Sequence, residues 1–246
     1  MDLTSLKSQD TPASIGAFVQ KVNDFPRLFP GLPLPAGLCV YPNFAAVVKD
    51  RLQVSGVRIV CVSGAFPASQ SFREVKRLET RMAVENGADE IDIVLALNAF
   101  LAGDCESAAA EIREQKALVG SRTLKVILET GELTAPGQIY DASMLAMEAG
   151  ADFIKTSTGK TAVGATPQAA GEMCRAIRDY ARKSGRKVGF KAAGGISTVE
   201  QALTYVEIVR RELGEEWLNP SLMRLGVSRL GNHLLSALRG ETVSYF

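Results

Sequence analysis

"GADFIKTSTGK", residues 150–160, decides how this chain is built. A glycine is followed by a short apolar run, Phe153 and Ile154. The run ends on Lys155, and the chain then breaks into Thr-Ser-Thr-Gly. A glycine that closes one helix, a brief strand and a polar loop before the next helix is the grammar of a strand–helix repeat. This helix-to-strand return, "EAGAD" (148–152), recurs in "NGADE" (86–90) and "GRKVG" (185–189). Working outward, apolar β-branched runs predict strands at 1–6, 37–41, 57–63, 90–95, 124–130, 152–157, 187–192 and 222–228. Helix-length amphipathic stretches predict helices near 12–23, 43–55, 70–87, 105–118, 137–149, 167–184, 198–213 and 229–239. Start signals stand at Ser69 or Ser71, Asp104, Pro136 with Gly137, Thr166 with Pro167, and Thr198 with Glu200.

Eight such units in 246 residues predict an α/β fold, a single (β/α)8 TIM barrel spanning residues 1–246. The competing doubly wound sheet needs a glycine-rich turn after its first strand, and "TSLKSQDT" (4–11) offers none. "FPRLFPGLPLPAG" (25–37) is expected to be irregular, because prolines at that density stop a helix.

Composition narrows the function. The formal net charge of +1 leaves no electrostatic footprint for nucleic acid or an anionic membrane, so neither is expected as a partner. No apolar stretch approaches the roughly 20 residues that span a bilayer. "MDLTSLKSQD" carries acids and lacks the apolar segment of a signal peptide. Cys39, Cys61, Cys105 and Cys174 are scattered without metal-ligand spacing, and a reducing cytoplasm is the expected setting. The single histidine, His233, belongs to the last expected helix and is assigned to its surface. A Ser-His-Asp device or a multi-histidine metal site is thereby excluded. Acid–base chemistry here falls to lysines and carboxylates.

In a barrel, chemistry sits at the C-terminal ends of the strands. Those ends carry Asp2, Thr4 and Ser5 on strand one, Cys39 on strand two, and Glu90 and Asp92 on strand four. Lys125 and Glu129 lie on strand five, Lys155 on six, Lys191 on seven and Ser228 on eight. Alternation places Phe153 with Lys155, and Gly189 with Lys191, with glycine 189 expected to leave room for the Lys191 side chain. Lysines on adjacent strands disfavour each other's charge, so one of them can be neutral near pH 7. A neutral amine attacks an aldehyde or ketone to form a Schiff base, which permits carbon–carbon chemistry without a metal. The alternative is that Lys155 and Lys191 each pair with a carboxylate such as Asp92 or Glu129, and spacing alone leaves both readings open. "TGKT" (158–161) is not a nucleotide loop, since Ile154 stands where that motif needs its first glycine. A Gly-Lys turn after a strand still suits a phosphate.

These residues resemble the class I, Schiff-base 2-deoxyribose-5-phosphate aldolases. The likeness runs through "DLTSL", "CVYP", "GADEIDIVLALNAFLAGD", "LKVILETGEL", "GADFIKTSTGK", "VGFKAAGG" and "RLGVS", in that family's order. The resemblance implies reversible joining of acetaldehyde to D-glyceraldehyde 3-phosphate, with no metal and no organic cofactor. It makes Lys155 the Schiff-base lysine, Lys191 the neighbouring cation that keeps it deprotonated, and Asp92 the acid–base relay acting through a water. It assigns Lys160, Gly194, Gly195, Gly226 and Ser228 to the phosphate, and Asp2, Thr4 and Ser5 to sugar hydroxyls. Cys39 falls at the second strand's mouth, as contact or as packing, and Lys125 coincides with a family lysine to which the sequence assigns no role.

Departures from the family pattern carry expectations of their own. Strand one is expected to be short, and loop three to be reshaped by Ala65 and Ser69, which stand where Asn and Gly are common. Ser197 replaces a frequent arginine and Arg229 a small polar residue, so the phosphate's positive charge is expected to move from loop seven to loop eight. The tail carrying Tyr245 is expected to be disordered. A homodimer is the expected assembly, although no sequence feature fixes it. Two other readings use the same barrel: a different phosphosugar enzyme, and a non-catalytic phosphosugar-binding protein.

Overall fold

The computed structural model describes residues 1–134 and 136–246. Its strands are β1 (Asp2–Thr4), β2 (Gly37–Val40), β3 (Arg58–Ser63), β4 (Glu90–Val94), β5 (Thr123–Ile127), β6 (Phe153–Lys155), β7 (Gly189–Ala193) and β8 (Met223–Val227). They are all parallel and follow chain order around a closed barrel. Closure rests on β1, which is three residues long yet pairs on both sides, Asp2 with Gly37 and with Gly226. The helices are α1 (Pro12–Leu28), α2 (Ala45–Arg51), α3 (Arg73–Glu85), α4 (Leu97–Leu101), α5 (Cys105–Val119), α6 (Pro136–Glu148), α7 (Pro167–Ser184), α8 (Val199–Leu213) and α9 (Leu230–Arg239). This is the TIM-barrel α/β fold.

Strand periodicity divides the side chains between two environments. Outward-facing Leu3, Leu38, Ile59, Ile91, Leu124, Ile154 and Phe190 pack with Ile15, Val19, Ile112, Ala142 and Ile177 of the helices into one core. Inside, Leu6, Cys39, Val60 and Val62 form a small apolar cluster beneath the β1–β3 side of the mouth. The rest of the interior is largely charged, with the Phe153 ring set beneath Lys125 and Arg224.

Several helix starts follow the expected chemistry. Thr11, Asp104, Thr166 and Thr198 each accept a backbone N–H in the first turn. At Thr198 the reciprocal partner is Gln201 rather than Glu200, since Gln201 is the residue three positions on. Neither Ser69 nor Ser71 caps α3. Its N-cap is Phe72, and the Ser69 hydroxyl instead accepts the Lys76 ammonium at 3.1 Å. Ala65 and Ser69 both adopt left-handed φ (60° and 56°), the conformation that Asn and Gly tolerate best.

Three sequence expectations are corrected. Pro26 lies inside α1, so the proline-rich segment is not irregular from its start. A proline in the last turn removes one ladder bond, while Phe25 stays buried against Phe29 (ring centroids 4.9 Å apart) and its carbonyl still accepts the Phe29 N–H. The tail is ordered: the Asn232 side-chain oxygen Oδ1 accepts the Tyr245 and Phe246 N–H groups at 2.8 Å each, and both rings pack beside Phe25. Gly189 makes room for Phe153, not for Lys191, because a Cβ there would stand 2.3 Å from the Phe153 ring. The short α4 had no separate expectation. His233 is exposed on α9, as expected. Among the described residues, no helix is long and apolar enough to cross a membrane.

Candidate active site

Six of the interior charged side chains close a ring. Arg224 on β8 reaches Asp2 on β1 (2.5 Å), and Asp2 receives Lys191 from β7 (2.6 Å). Lys191 also donates to Asp92 on β4 (2.8 Å), whose other oxygen takes Lys125 from β5 (2.8 Å). Lys125 continues to Glu90 (2.6 Å), and Glu90 returns to Arg224 (2.9 Å). Three carboxylates and three cations alternate, each holding two partners, so the ring is electrically neutral and complete. Lys155, the last residue of β6, is attached from outside through one contact, 2.9 Å to Asp92 Oδ2. That is the oxygen Lys191 also uses. Register explains the convergence: Lys155 lies beside Lys191, Lys191 beside Arg224, and Asp92 beside Lys125.

Burial makes the charge balance matter. All seven side chains are at most 6% exposed, where an uncompensated charge is costly. Burial alone would raise the Asp92 pKa, but the fields of Lys125, Lys155 and Lys191 outweigh it and hold the carboxyl well below its ordinary range. Asp2 is lowered in the same way, chiefly by Lys191 against burial. For Lys191, burial pulls downward while Asp2 and Asp92 pull harder, so its pKa is raised. Lys125 is raised by Asp92 and Glu90 against burial. The ring lysines are thus fixed as cations. With all four cations protonated, the interior carries one positive charge in excess, and Lys155 is the amine with the fewest partners.

Above Lys155 opens a cavity of about 260 Å³. Of the residues expected at the site, it is lined by Lys155, Thr4, Ser5, Lys160, Gly194, Gly195, Gly226 and Ser228. The β6–α7 loop is shaped from beneath by Glu129, at φ 52°, whose buried carboxylate accepts the Thr158 N–H (3.1 Å) and hydroxyl (2.5 Å). Lys160 then spans the opening, its ammonium on the Leu6 carbonyl beyond β1. Gly194 and Gly195, at φ 86° and 81°, turn the chain after β7 in a way that side chains rarely permit. A Cβ on Gly164 would stand 2.4 Å from the Gly194 carbonyl oxygen, so loops six and seven touch through bare backbone.

Asp92 and Lys191 lie in the ring beneath this cavity, and three residues expected to touch substrate do not line it. Asp2 is fully buried and spent on Lys191 and Arg224, because its side chain points into the barrel below the mouth. Cys39 is sealed in the apolar cluster, and burial, only partly offset by Lys191, pushes its thiol pKa up. Arg229 is exposed and precedes α9 outside the cavity lining, so the positive charge has not moved to loop eight. The cations bordering the cavity beside Lys155 are Lys160 and Lys7. The Ser5 hydroxyl is already held by Asp10 at 2.8 Å. Tyr245 donates its hydroxyl to the Lys21 carbonyl on α1 and does not line the cavity. Sequence reasoning missed the ring roles of Glu90, Lys125 and Arg224. Their signal was present: Glu90 stands two residues before Asp92 in an apolar strand, and Lys125 and Arg224 are each the single charge of theirs.

Comparison with known proteins agrees with this chemistry. The sequence profile of the DeoC/LacD family aldolases matches residues 32–227. Human deoxyribose-phosphate aldolase is 42% identical over 240 residues, covering 94% of this chain and 76% of that protein. The bovine enzyme is 41% identical with the same coverage. Among solved structures, deoxyribose phosphate aldolase from Aeropyrum pernix, described as a tetramer, superimposes with a TM-score of 0.73 at 26% identity over 96% of this chain and 88% of that one. The aldolase QR15 gives 0.76 at 28% identity, covering 98% and 97%. Fold, sequence and the lysine-centred interior therefore agree: this chain belongs to the DeoC/LacD family of aldolases.

Proposed function

We propose that this chain is a deoxyribose-phosphate aldolase of the Schiff-base class, residues 1–246 acting as one catalytic domain. It cleaves 2-deoxy-D-ribose 5-phosphate to acetaldehyde and D-glyceraldehyde 3-phosphate, and runs the reverse. The observation that carries this reading is the complete neutral ring with Lys155 as its one extra cation, on the floor of the cavity.

The amine of Lys155 attacks C1 of the open-chain aldehyde, and loss of water gives an iminium. Removal of the C3 hydroxyl proton then breaks the C2–C3 bond, and the electron pair moves into the enamine on C1–C2. Protonation at C2 and hydrolysis release acetaldehyde and restore the amine. Asp92 Oδ2 accepts a hydrogen from Lys155 before reaction. Conversion to the iminium leaves that nitrogen a single hydrogen, which loosens its hold on the oxygen while Lys191 stays bound there, and Asp92 Oδ2 can then relay the C3 proton through a water. The phosphate sits under Lys160 and Lys7, against the backbone of Gly194, Gly195, Gly226 and Ser228, at the last-loop position where this fold holds phosphate. Thr4 and Ser5 border the sugar. The four free thiols suit a cytoplasmic enzyme.

Assembly as a homodimer is part of the same reading, and α3 is the face that supports it. Phe72, Val75, Leu78 and Met82 are 78%, 51%, 52% and 51% exposed along one side of that helix. Glu74 and Arg81 flank the stripe, exposed and without an ion-pair partner among the described residues. In an antiparallel two-fold pairing centred between Arg77 and Leu78, Glu74 stands opposite Arg81 of the partner subunit, and the pair repeats by symmetry.

Trapping tests the catalytic reading. Borohydride with acetaldehyde should leave an ethyl group on Lys155, and Lys155→Ala should abolish it. A phosphosugar-binding protein would give no adduct.

A further inference from the structure

Arg224 and Glu90 meet at the far side of the ring, next to the strand starts. Neither touches Lys155, and neither lines the cavity. Their charges reach Lys155 across the interior, through the four intervening ring members and, for Arg224, beside the ring of Phe153 on the same strand as Lys155. From the geometry of that closed circuit we propose that Arg224 and Glu90 are positioning residues that set the pH range over which Lys155 forms its imine, by fixing the charge of the ring beneath it. The inference rests on the aldolase reading and deepens it.

The ring's charges cancel in pairs. Asp2, Glu90 and Asp92 balance Lys125, Lys191 and Arg224, and the Lys155 proton is surplus. Without the Arg224 charge, the same three carboxylates face two lysines. The Lys155 ammonium would then restore neutrality and be held more tightly. Without the Glu90 charge, two carboxylates face three cations, and the Lys155 proton becomes still less welcome. Opposite shifts from two residues that touch each other are what a charge count requires.

The other charged and titratable groups around Lys155 do not upset the count. Asp92 and Lys191 are in contact with it, and Asp2 and Lys125 lie one step further. From β2 comes the Cys39 thiol, which burial keeps neutral. Glu129, beyond β5, is bound to Thr158. Lys7 and Lys160 stand at the open rim, where water screens them. The Met1 amino group neighbours Asp2 and Arg224, and burial pushes its pKa down.

The experiment is the pH dependence of borohydride trapping with acetaldehyde, in wild type, Arg224→Met, Glu90→Gln, the double variant and Arg224→Lys. One interior charge at this range moves a titration by about one to two pH units. Arg224→Met should therefore move the acidic limb up by about that amount, and Glu90→Gln should move it down. The double variant and Arg224→Lys should return it to the wild-type position. If Arg224→Met does not fold, Glu90→Gln alone must still shift the limb downward. Limbs that stay in place, or that move the same way in both single variants, overturn the inference. Absence of a Lys155 adduct in wild type would instead overturn the aldolase reading itself.

Discussion

Lys155 differs from its neighbours in a single respect: it touches one carboxylate where Lys125, Lys191 and Arg224 each touch two. Asp92 is the residue on which this depends, since three ammonium groups converge on its two oxygens. Asp92→Asn keeps the shape and removes the charge. Loss of one partner from a buried ion-pair system costs about 3–5 kcal/mol, so a fall of that order is expected in denaturant unfolding. By the same charge count that applies to Glu90, the acidic limb of trapping at Lys155 should move down in the fraction that remains folded. Unchanged stability would show that the three lysines have other partners. The pairing of Lys155 with Asp92 does not contradict its reactivity, because Lys191 occupies the same oxygen and Asp92 cannot neutralise both.

At the scale of elements, alternation in short apolar runs located all eight strands, and helical periodicity with Asp104, Thr166 and Thr198 located most helix starts. Their ends were less legible. Strand six reads as 152–157 but pairs only over Phe153–Lys155, because ladder bonds stop where the loop turns toward Glu129. Alternation told which strand residues face inward but not whom they meet across the barrel. Arg224 and Asp2 are 222 positions apart, and Lys191 and Asp2 are 189 apart, separations that no local pattern encodes. The contact of loops six and seven is equally hidden, and it gives a clean test. Gly164 has no left-handed φ, so alanine there is unstrained in itself and acts only by pushing on the Gly194 carbonyl. Gly164→Ala should raise the KM for deoxyribose 5-phosphate about tenfold, equivalent to about 1.4 kcal/mol, with kcat little changed. An unaltered KM would remove loop seven from the phosphate site.

At the scale of the whole molecule, stability and function occupy different layers. The apolar shell between strands and helices supplies the burial, while the barrel interior is given over to ion pairs. Buried ion pairs add little net stability compared with well-packed apolar groups, so a charged interior is retained for what it does to Lys155. On the outer surface, exposed apolar side chains of the described residues line up as a stripe on α3. Leu78→Glu sets two carboxylates against each other across a two-fold axis. It should convert a dimer into monomer in sedimentation equilibrium while trapping at Lys155 continues. A wild-type chain that sediments as a monomer at micromolar concentration would rule that interface out.

The central claim is that the barrel's one surplus cation is the nucleophile. Borohydride reduction in the presence of acetaldehyde, followed by peptide mass analysis, addresses it most directly. The account predicts one ethylated lysine, at position 155, with Lys125 and Lys191 unmodified because the ring keeps both protonated. Ethylation at 125 or 191 in its place, or none at all, would contradict it.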